Sequence, residues 1–235
     1  EENFNKTGSP LFSSHMLDLS AEDIDFNLSE CERLLKRMAP IGMSLEIELG
    51  VTGGEEDGVG SDDDIGADNP KLYTQPEECL RAYQQLSPIG HFSLAASFGN
   101  VHGVYKPGNV KLRPEILKKS QELVKETCGT EEKPLDLVFH GGSGSDKEKI
   151  SEALSYGVFK MNIDTDTQFA YAKAVGKYVN ENQKAFQYQI DPDDDTPYKK
   201  KYDPRVWLRA GEMSMVERLD EAFRDLGSVG KSLAS

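Results

Sequence analysis

A chain of 235 residues with 41 acidic against 27 basic side chains carries a formal net charge of −14 and a pI of about 4.8. That balance argues against nucleic-acid and anionic-membrane partners, because both need a basic footprint, and no apolar run approaches a membrane span. The hydrophobic fraction of 37% and mean hydropathy of −0.57 allow a core, yet they suggest apolar surface that meets residues outside this sequence.

Short apolar runs alternate with longer helical stretches. Strands are expected at Leu11–Leu19, Ser44–Leu49, Phe92–Phe98, Leu135–His140 and Gly157–Ile163. Helices are expected at about Ala21–Met38, Pro76–Leu86, Pro114–Thr127, Lys147–Ser155, Thr167–Asn180 and Met213–Leu226. Ser20 with Asp23 gives a weak capping box. Thr74-Gln75-Pro76-Glu77-Glu78 puts a proline and two acids in a first turn, where the helix dipole favours them. Gly50–Asp68 is glycine-rich, acidic and aperiodic, and reads as a mobile loop. Gln187–Asp203 is polar and reads as a projecting segment that could serve as an oligomer arm.

Strands alternating with helices imply βαβ units and a parallel sheet, either open and doubly wound or part of a barrel. The strand ends decide between them. Ser14–Asp18, Glu46-Ile47-Glu48, Gly99–Gly103, His140–Gly144 and Asn162–Thr165 all carry reactive or phosphate-friendly residues. Barrel enzymes build their sites in this way, one contribution per strand at the C-terminal face. The expected class is α/β, a (β/α)8 TIM barrel incomplete in this chain.

His102 and His140 each end a strand and precede a glycine. Two imidazoles on neighbouring strand ends suit one Zn²⁺, which takes nitrogen ligands and about four partners. His15 and His91 lack that context, and Cys31, Cys79 and Cys128 have no paired-ligand spacing. The odd cysteine count disfavours a disulfide framework and fits a reducing compartment such as the cytosol. His140–Ser145 and Lys160–Asp166 read as a phosphate cradle of glycines and helix-start N–H groups. Glu55 and Glu56 sit on a glycine-flanked loop, where a carboxylate can swing over a site as a general base. Asp18 and Glu48 are either second metal-site ligands or polar strand ends. Arg205 beside Trp207 suits either phosphate recognition or an ion pair.

The strings LFSSHMLDLS, LEIELGVTGGEEDGV, LYTQPE, AASFGNVHGVYKPGNV, LVFHGGSGS, VFKMNIDTDTQ and YDPRVWLRAG run in this order from Leu11 to Gly211. Together they resemble the class II, metal-dependent fructose-1,6-bisphosphate aldolases of the long bacterial and fungal type. The resemblance implies that residues 1–235 are the C-terminal part of one barrel domain holding strands 4–8. It makes His102 and His140 two of three catalytic zinc ligands, and associates Asp18 and Glu48 with a second metal position. Glu56 becomes the loop glutamate that moves the proton at the carbon next to the ketone. Gly103, Gly141, Gly142, Ser143, Asn162, Ile163, Asp164 and Thr165 fall on segments binding dihydroxyacetone phosphate, with Lys106 a weaker phosphate-side candidate. Arg205 matches the arginine that reaches a neighbouring subunit's site.

The implied activity is reversible cleavage of fructose 1,6-bisphosphate by a cytoplasmic homodimer, with a plastid the other location considered. Zn²⁺ is the implied cofactor and a monovalent cation a further candidate. The family's third-strand His-Thr/Ser-Asp-His segment has no match, so this chain alone is expected to bind zinc weakly and turn over no substrate. Glu1 in place of Met suggests an N-terminus that is not the gene's own start. The alternatives are a tagatose-bisphosphate aldolase and a non-catalytic subunit-contact module.

Overall fold

The computed structural model describes residues 1–56, 59–61, 70–103 and 111–232, with the backbone alone for 55, 56 and 59–61. In chain order the strands are β1 (Ser14–Leu17), β2 (Ser44–Leu49), β3 (Gly53–Glu56), β4 (Val59–Ser61), β5 (Phe92–Ala96), β6 (Val101–His102), β7 (Leu137–Phe139) and β8 (Val158–Met161). The helices are α1 (Glu2–Thr7), α2 (Ile24–Met38), α3 (Pro76–Leu86), α4 (Glu115–Cys128), α5 (Lys147–Ser155), α6 (Thr165–Glu181), α7 (Gln183–Gln187), α8 (Lys199–Tyr202) and α9 (Pro204–Asp225). Two compact units result, Glu1–Asn162 and Ile163–Ser235.

In the first unit, β1, β2, β5, β7 and β8 form one parallel sheet in that order. A doubly wound sheet reverses its direction at a switch point. This sheet steps one way along the chain, as the wall of a (β/α)8 barrel does. The alternation in β2 explains how it is used. Leu45, Ile47 and Leu49 point one way, toward the helical layer, and Glu46 and Glu48 the other. All five side chains are buried.

The covering helices present apolar residues at helical spacing: Leu28, Cys31 and Leu35 on α2, Cys79, Ala82 and Leu86 on α3, Leu117 and Val124 on α4. Helix α3 has the bounds expected from its first turn, where Glu78 accepts from the Gln75 N–H at 2.8 Å. Helix α2 begins later than the capping pattern suggested. Asp23 itself caps it, accepting from the Asp25 N–H. Ser20 is committed elsewhere, donating its N–H and hydroxyl to Asp18 at 2.9 and 2.6 Å.

The stretch expected to be a loop, Gly50–Asp68, contains β3 and β4, an antiparallel pair; β3 also lies parallel to β6. Gly53-Gly54-Glu55-Glu56 has no strand alternation of its own, so its pairing is imposed by the neighbouring segments. Gly54 is opposite His102 in that ladder, and a Cβ there would lie 2.1 Å from the His102 carbonyl oxygen.

The second unit is built on α6 and α9. Contacts of Tyr171 with Leu208, Ala170 with Ser214 and Asp166 with Arg218 run in opposite senses, so the helices are antiparallel. Gly211 permits the approach, since a Cβ there would sit 2.7 Å from the Tyr171 ring. Helix α9 starts nine residues before the expected Met213, because Asp203 caps it and Pro204 fills its first position. Between α7 and α8 the chain folds back through an Ile190–Pro197 bridge. There Asp191 is buried, accepts from the Tyr198 hydroxyl and pairs with Lys184 at 3.2 Å.

Candidate active site

The polar face of β2 and the end of β7 meet at His140. Its Nδ1 lies 2.8 Å from Glu48 Oε2 and its Nε2 3.0 Å from Glu46 Oε1. The second oxygen of each carboxylate is also used. Lys160 donates to Glu46 Oε2 at 2.7 Å, and the Thr52 hydroxyl donates to Glu48 Oε1 at 2.7 Å. His140, Glu46 and Glu48 are 4%, 6% and 3% exposed, so the imidazole–carboxylate contacts form away from solvent. Burial disfavours charge on His140, but the hydrogen bonds and charges of Glu46 and Glu48 outweigh it and push the imidazole up to about 9. Burial likewise works against charge on Glu46, and the bonds from His140 and Lys160 overcome it, holding this carboxyl below its usual value.

Main-chain ties fix the position of this cluster. Asn100 donates through Nδ2 to the His140 carbonyl at 2.9 Å and accepts the Phe98 N–H through Oδ1 at 2.9 Å. Asn27 donates to the carbonyls of Glu48 and Leu19 at 3.0 and 3.1 Å. Beneath the site the Phe98 and Phe139 rings pack edge to face with centroids 4.7 Å apart.

His102, on β6, has its ring centroid 6.3 Å from that of His140, with the planes inclined by 32°. Imidazole and carboxylate donors suit a divalent ion, and metal–nitrogen bonds of about 2.0–2.1 Å leave room for one ion between rings at this separation. Among the described residues no group of three His, Cys, Asp or Glu side chains stands ready to hold a metal. The His pair fits as part of a centre, and an ion on His140 must displace a proton. Asp18 is exposed just after β1, bonded to Ser20 rather than joined to the His pair.

The turn after β7 has the tight backbone expected of it. Gly141 has φ 60°, and a Cβ there would lie 2.3 Å from the Val101 carbonyl oxygen. The Gly142 N–H donates to the Asn162 carbonyl at 2.9 Å, and the Asn162 N–H to that of Phe139 at 2.9 Å. Ser143 is buried in this turn, and Gly103 follows β6 with φ 81°. Lys160 belongs to Glu46 rather than to the anion-binding stretch in which its sequence position put it. Within the second unit, Asp164 precedes α6 and accepts from Gln168 at 2.9 Å, with Ile163 before it and Thr165 opening the helix. Arg205 lies in the first turn of α9, its side chain 87% exposed and forked onto Asp203 at 2.6 and 3.0 Å. The Arg205 side chain and main-chain N–H together hold the Asp203 carboxyl down to about 2. Glu56 ends β3 in backbone only, its side chain outside the described residues, as is the whole of Lys106.

Sequence reasoning placed Glu46 and Asn100 in reactive strand ends and Lys160 in a phosphate cradle, but gave none of them, nor Thr52 or Asn27, the part of holding His140 or its carboxylates. The available signal was the Glu-Ile-Glu alternation, which puts Glu46 on the same face as Glu48.

A family model described as "Fructose-bisphosphate aldolase class-II" matches residues 1–231. A fructose-bisphosphate aldolase of Campylobacter jejuni is 58% identical over 229 residues, 96% of this chain and 64% of that protein. The "Fructose-bisphosphate aldolase class 2" of Escherichia coli K12 is 54% identical over 232 residues, 97% of this chain and 64% of that protein. The crystal structure of a Campylobacter jejuni fructose-bisphosphate aldolase superposes with a TM-score of 0.84 at 55% identity, covering 98% of this chain and 65% of that one. The chain thus spans slightly less than two thirds of the length of these relatives.

Proposed function

We propose that this chain, which belongs to the class II fructose-bisphosphate aldolase family, supplies part of an enzyme that reversibly cleaves fructose 1,6-bisphosphate into dihydroxyacetone phosphate and glyceraldehyde 3-phosphate. The observation that carries this is His140, braced by two buried carboxylates and 6.3 Å from the His102 ring. A buried, ring-paired imidazole is an arrangement suited to binding an ion.

In this reading His102 and His140 hold Zn²⁺, with Glu48 and Asp18 toward a second metal position. The bound ion supplies Lewis-acid polarisation of the ketone oxygen. Glu56 moves the proton at the carbon next to the ketone, giving it in cleavage and taking it in condensation. The backbone of Gly103, Gly141, Gly142, Ser143 and Asn162, with Ile163, Asp164 and Thr165, binds the phosphate of dihydroxyacetone phosphate; a monovalent cation and Lys106 are further candidates there. These contacts fix the reacting carbons relative to Glu56. Arg205 extends to the second phosphate in a partner subunit of a cytoplasmic homodimer. Both units then belong to one barrel domain, with 187–203 as its projecting segment. No described helix is long and apolar enough to cross a membrane. Support for the dimer is that α9 exposes Val216 and Phe223 at 53% and 54%.

The test is cleavage by the full-length protein, stripped of metal and reloaded with Zn²⁺, of fructose and tagatose 1,6-bisphosphates. The fructose substrate is expected to be cleaved faster, and only by the reloaded protein. Folded, zinc-loaded protein that cleaves neither sugar would overturn the enzyme assignment in favour of a contact module.

A further inference from the structure

We propose that Glu46 and Lys160 are positioning residues for the metal centre: Lys160 fixes Glu46, and Glu46 fixes His140 with its proton on Nε2, leaving Nδ1 for the ion. The inference rests on His140 being a metal ligand, as read above.

Three observations carry it. The first is register. Glu46 lies opposite Ser93 on β5, and Lys160 lies opposite Val138 on β7 because an irregularity between Leu137 and Val138 skips Phe159. Phe159 is left 60% exposed, while the Lys160 ammonium reaches across to a carboxylate 114 residues earlier in the chain. A slip of one residue would exchange Lys160 for Phe159 or Met161 at that place.

The second is an asymmetry between the two carboxylates on one imidazole. Glu46 is anchored by a cation, at 2.7 Å from the Lys160 ammonium. Glu48 is anchored by a neutral hydroxyl, that of Thr52, in the short connection between β2 and β3. A buried carboxylate with a cationic partner is costly to reorganise, whereas one held by a hydroxyl can exchange its contact for an ion. The Glu48 side, which faces Nδ1, is therefore the side that opens.

The third is that the main chain of His140 is immobilised by Asn100, so the ring can choose its partners only by rotation. A carboxylate on the far nitrogen removes that freedom and makes the near nitrogen a stronger donor, as with metal-ligating histidines in general.

The experiment measures Zn²⁺ affinity of the full-length protein by chelator competition, the visible spectrum of its Co²⁺ form, and thermal stability. Glu46→Gln keeps the size and an acceptor oxygen but drops the charge, and is expected to weaken Zn²⁺ binding about 10- to 100-fold. Lys160→Met is expected to weaken it less, and Lys160→Arg to restore it. The double substitution should be no worse than Glu46→Gln alone, because both act on one chain of contacts. An altered Co²⁺ spectrum in Glu46→Gln supports a changed ligand orientation. Unchanged Zn²⁺ affinity in both single variants, with metal still bound by the wild type, overturns this inference and leaves the metal centre standing. A rise in KM for Lys160→Met with unaltered affinity also overturns it, returning Lys160 to the phosphate. Wild-type protein that binds neither ion overturns the metal-centre reading itself. Should Glu46→Gln fail to fold, the half-exposed Lys160 position carries the same comparison.

Discussion

Glu46 and His140 lie 94 residues apart in the chain, whereas Asp203 and Arg205 lie two apart. Both pairs join opposite or complementary charges, and both come from segments that sequence patterns picked out. The first pair exists only because β2, β5 and β7 are stacked in register, and it is buried. The second is a local cap on α9, with its arginine in solvent. Charges placed by the sheet are thus fixed before any ligand arrives, while the Asp203–Arg205 pair is set by near neighbours and its arginine remains exchangeable. Removing a partner should accordingly have different consequences in the two regions.

The largest effect is expected from Gly141→Ala. A Cβ at φ 60° costs roughly 1–2 kcal/mol for the backbone alone, and it would also strike the Val101 carbonyl from 2.3 Å. A displacement of about 1 Å passed from Gly141 to the adjoining His140 should lower turnover by on the order of 10²-fold. Steady-state kinetics of the metal-loaded full-length protein would show this, and near-normal turnover would contradict a backbone-fixed site. An intermediate effect is expected from Arg205→Ala. With the phosphate role proposed for Arg205, its loss should lower kcat/KM about ten- to a hundredfold, through KM. Thermal stability should stay where it was, since among the described residues the ion pair of this exposed guanidinium is with Asp203, two positions away. A large fall in melting temperature would place Arg205 with the buried pairs instead.

The smallest effect concerns acid. The Tyr198 hydroxyl, the Asp193 main-chain N–H and Lys184 hold the Asp191 carboxyl below its usual value. A folded value lower than the unfolded one makes this contact stabilising above about pH 3.9, and the contribution fades as pH falls through the folded value. The protection of the amides in residues 188–198, each referred to its intrinsic exchange rate at the same pH, should therefore fall in acid before that of the sheet of the first unit. Asp191→Asn should exchange faster already at neutral pH and lose that acid dependence. An identical acid profile in wild type and variant would remove Asp191 from the cause.

Legibility in the sequence followed the same division. The bounds of α3 and β2 were readable because a proline–acid first turn and a two-residue alternation are local signals. The other four parallel strands are legible at their centres but overdrawn at their ends. Leu11 and Phe12 continue the apolar pattern into β1, yet they are 73% and 71% exposed and pair with nothing in the sheet. Strands β3 and β4 escaped notice because Gly-Gly-Glu-Glu has no propensity for a sheet; its pairing comes from Val101 and His102. His102 and His140 are recognisable as strand-end imidazoles, whereas the joining of Glu46 and Lys160 to His140 depends on the register and its irregularity between Leu137 and Val138. The early start of α9 is written in Asp203-Pro204, a cap and first-turn pair whose proline lies nine residues before the expected Met213.

Gly54 puts a limit on anyone who wishes to rebuild the segment after β2. Its neighbours are glycines and acids, and by composition the whole stretch invites free redesign of length, charge and loop type. At this one position, however, the space a methyl group would take is filled by the carbonyl of His102. A designer may graft, shorten or recharge the rest, but a single hydrogen atom on Gly54 is a fixed dimension of the scaffold, as binding as any residue of the hydrophobic core.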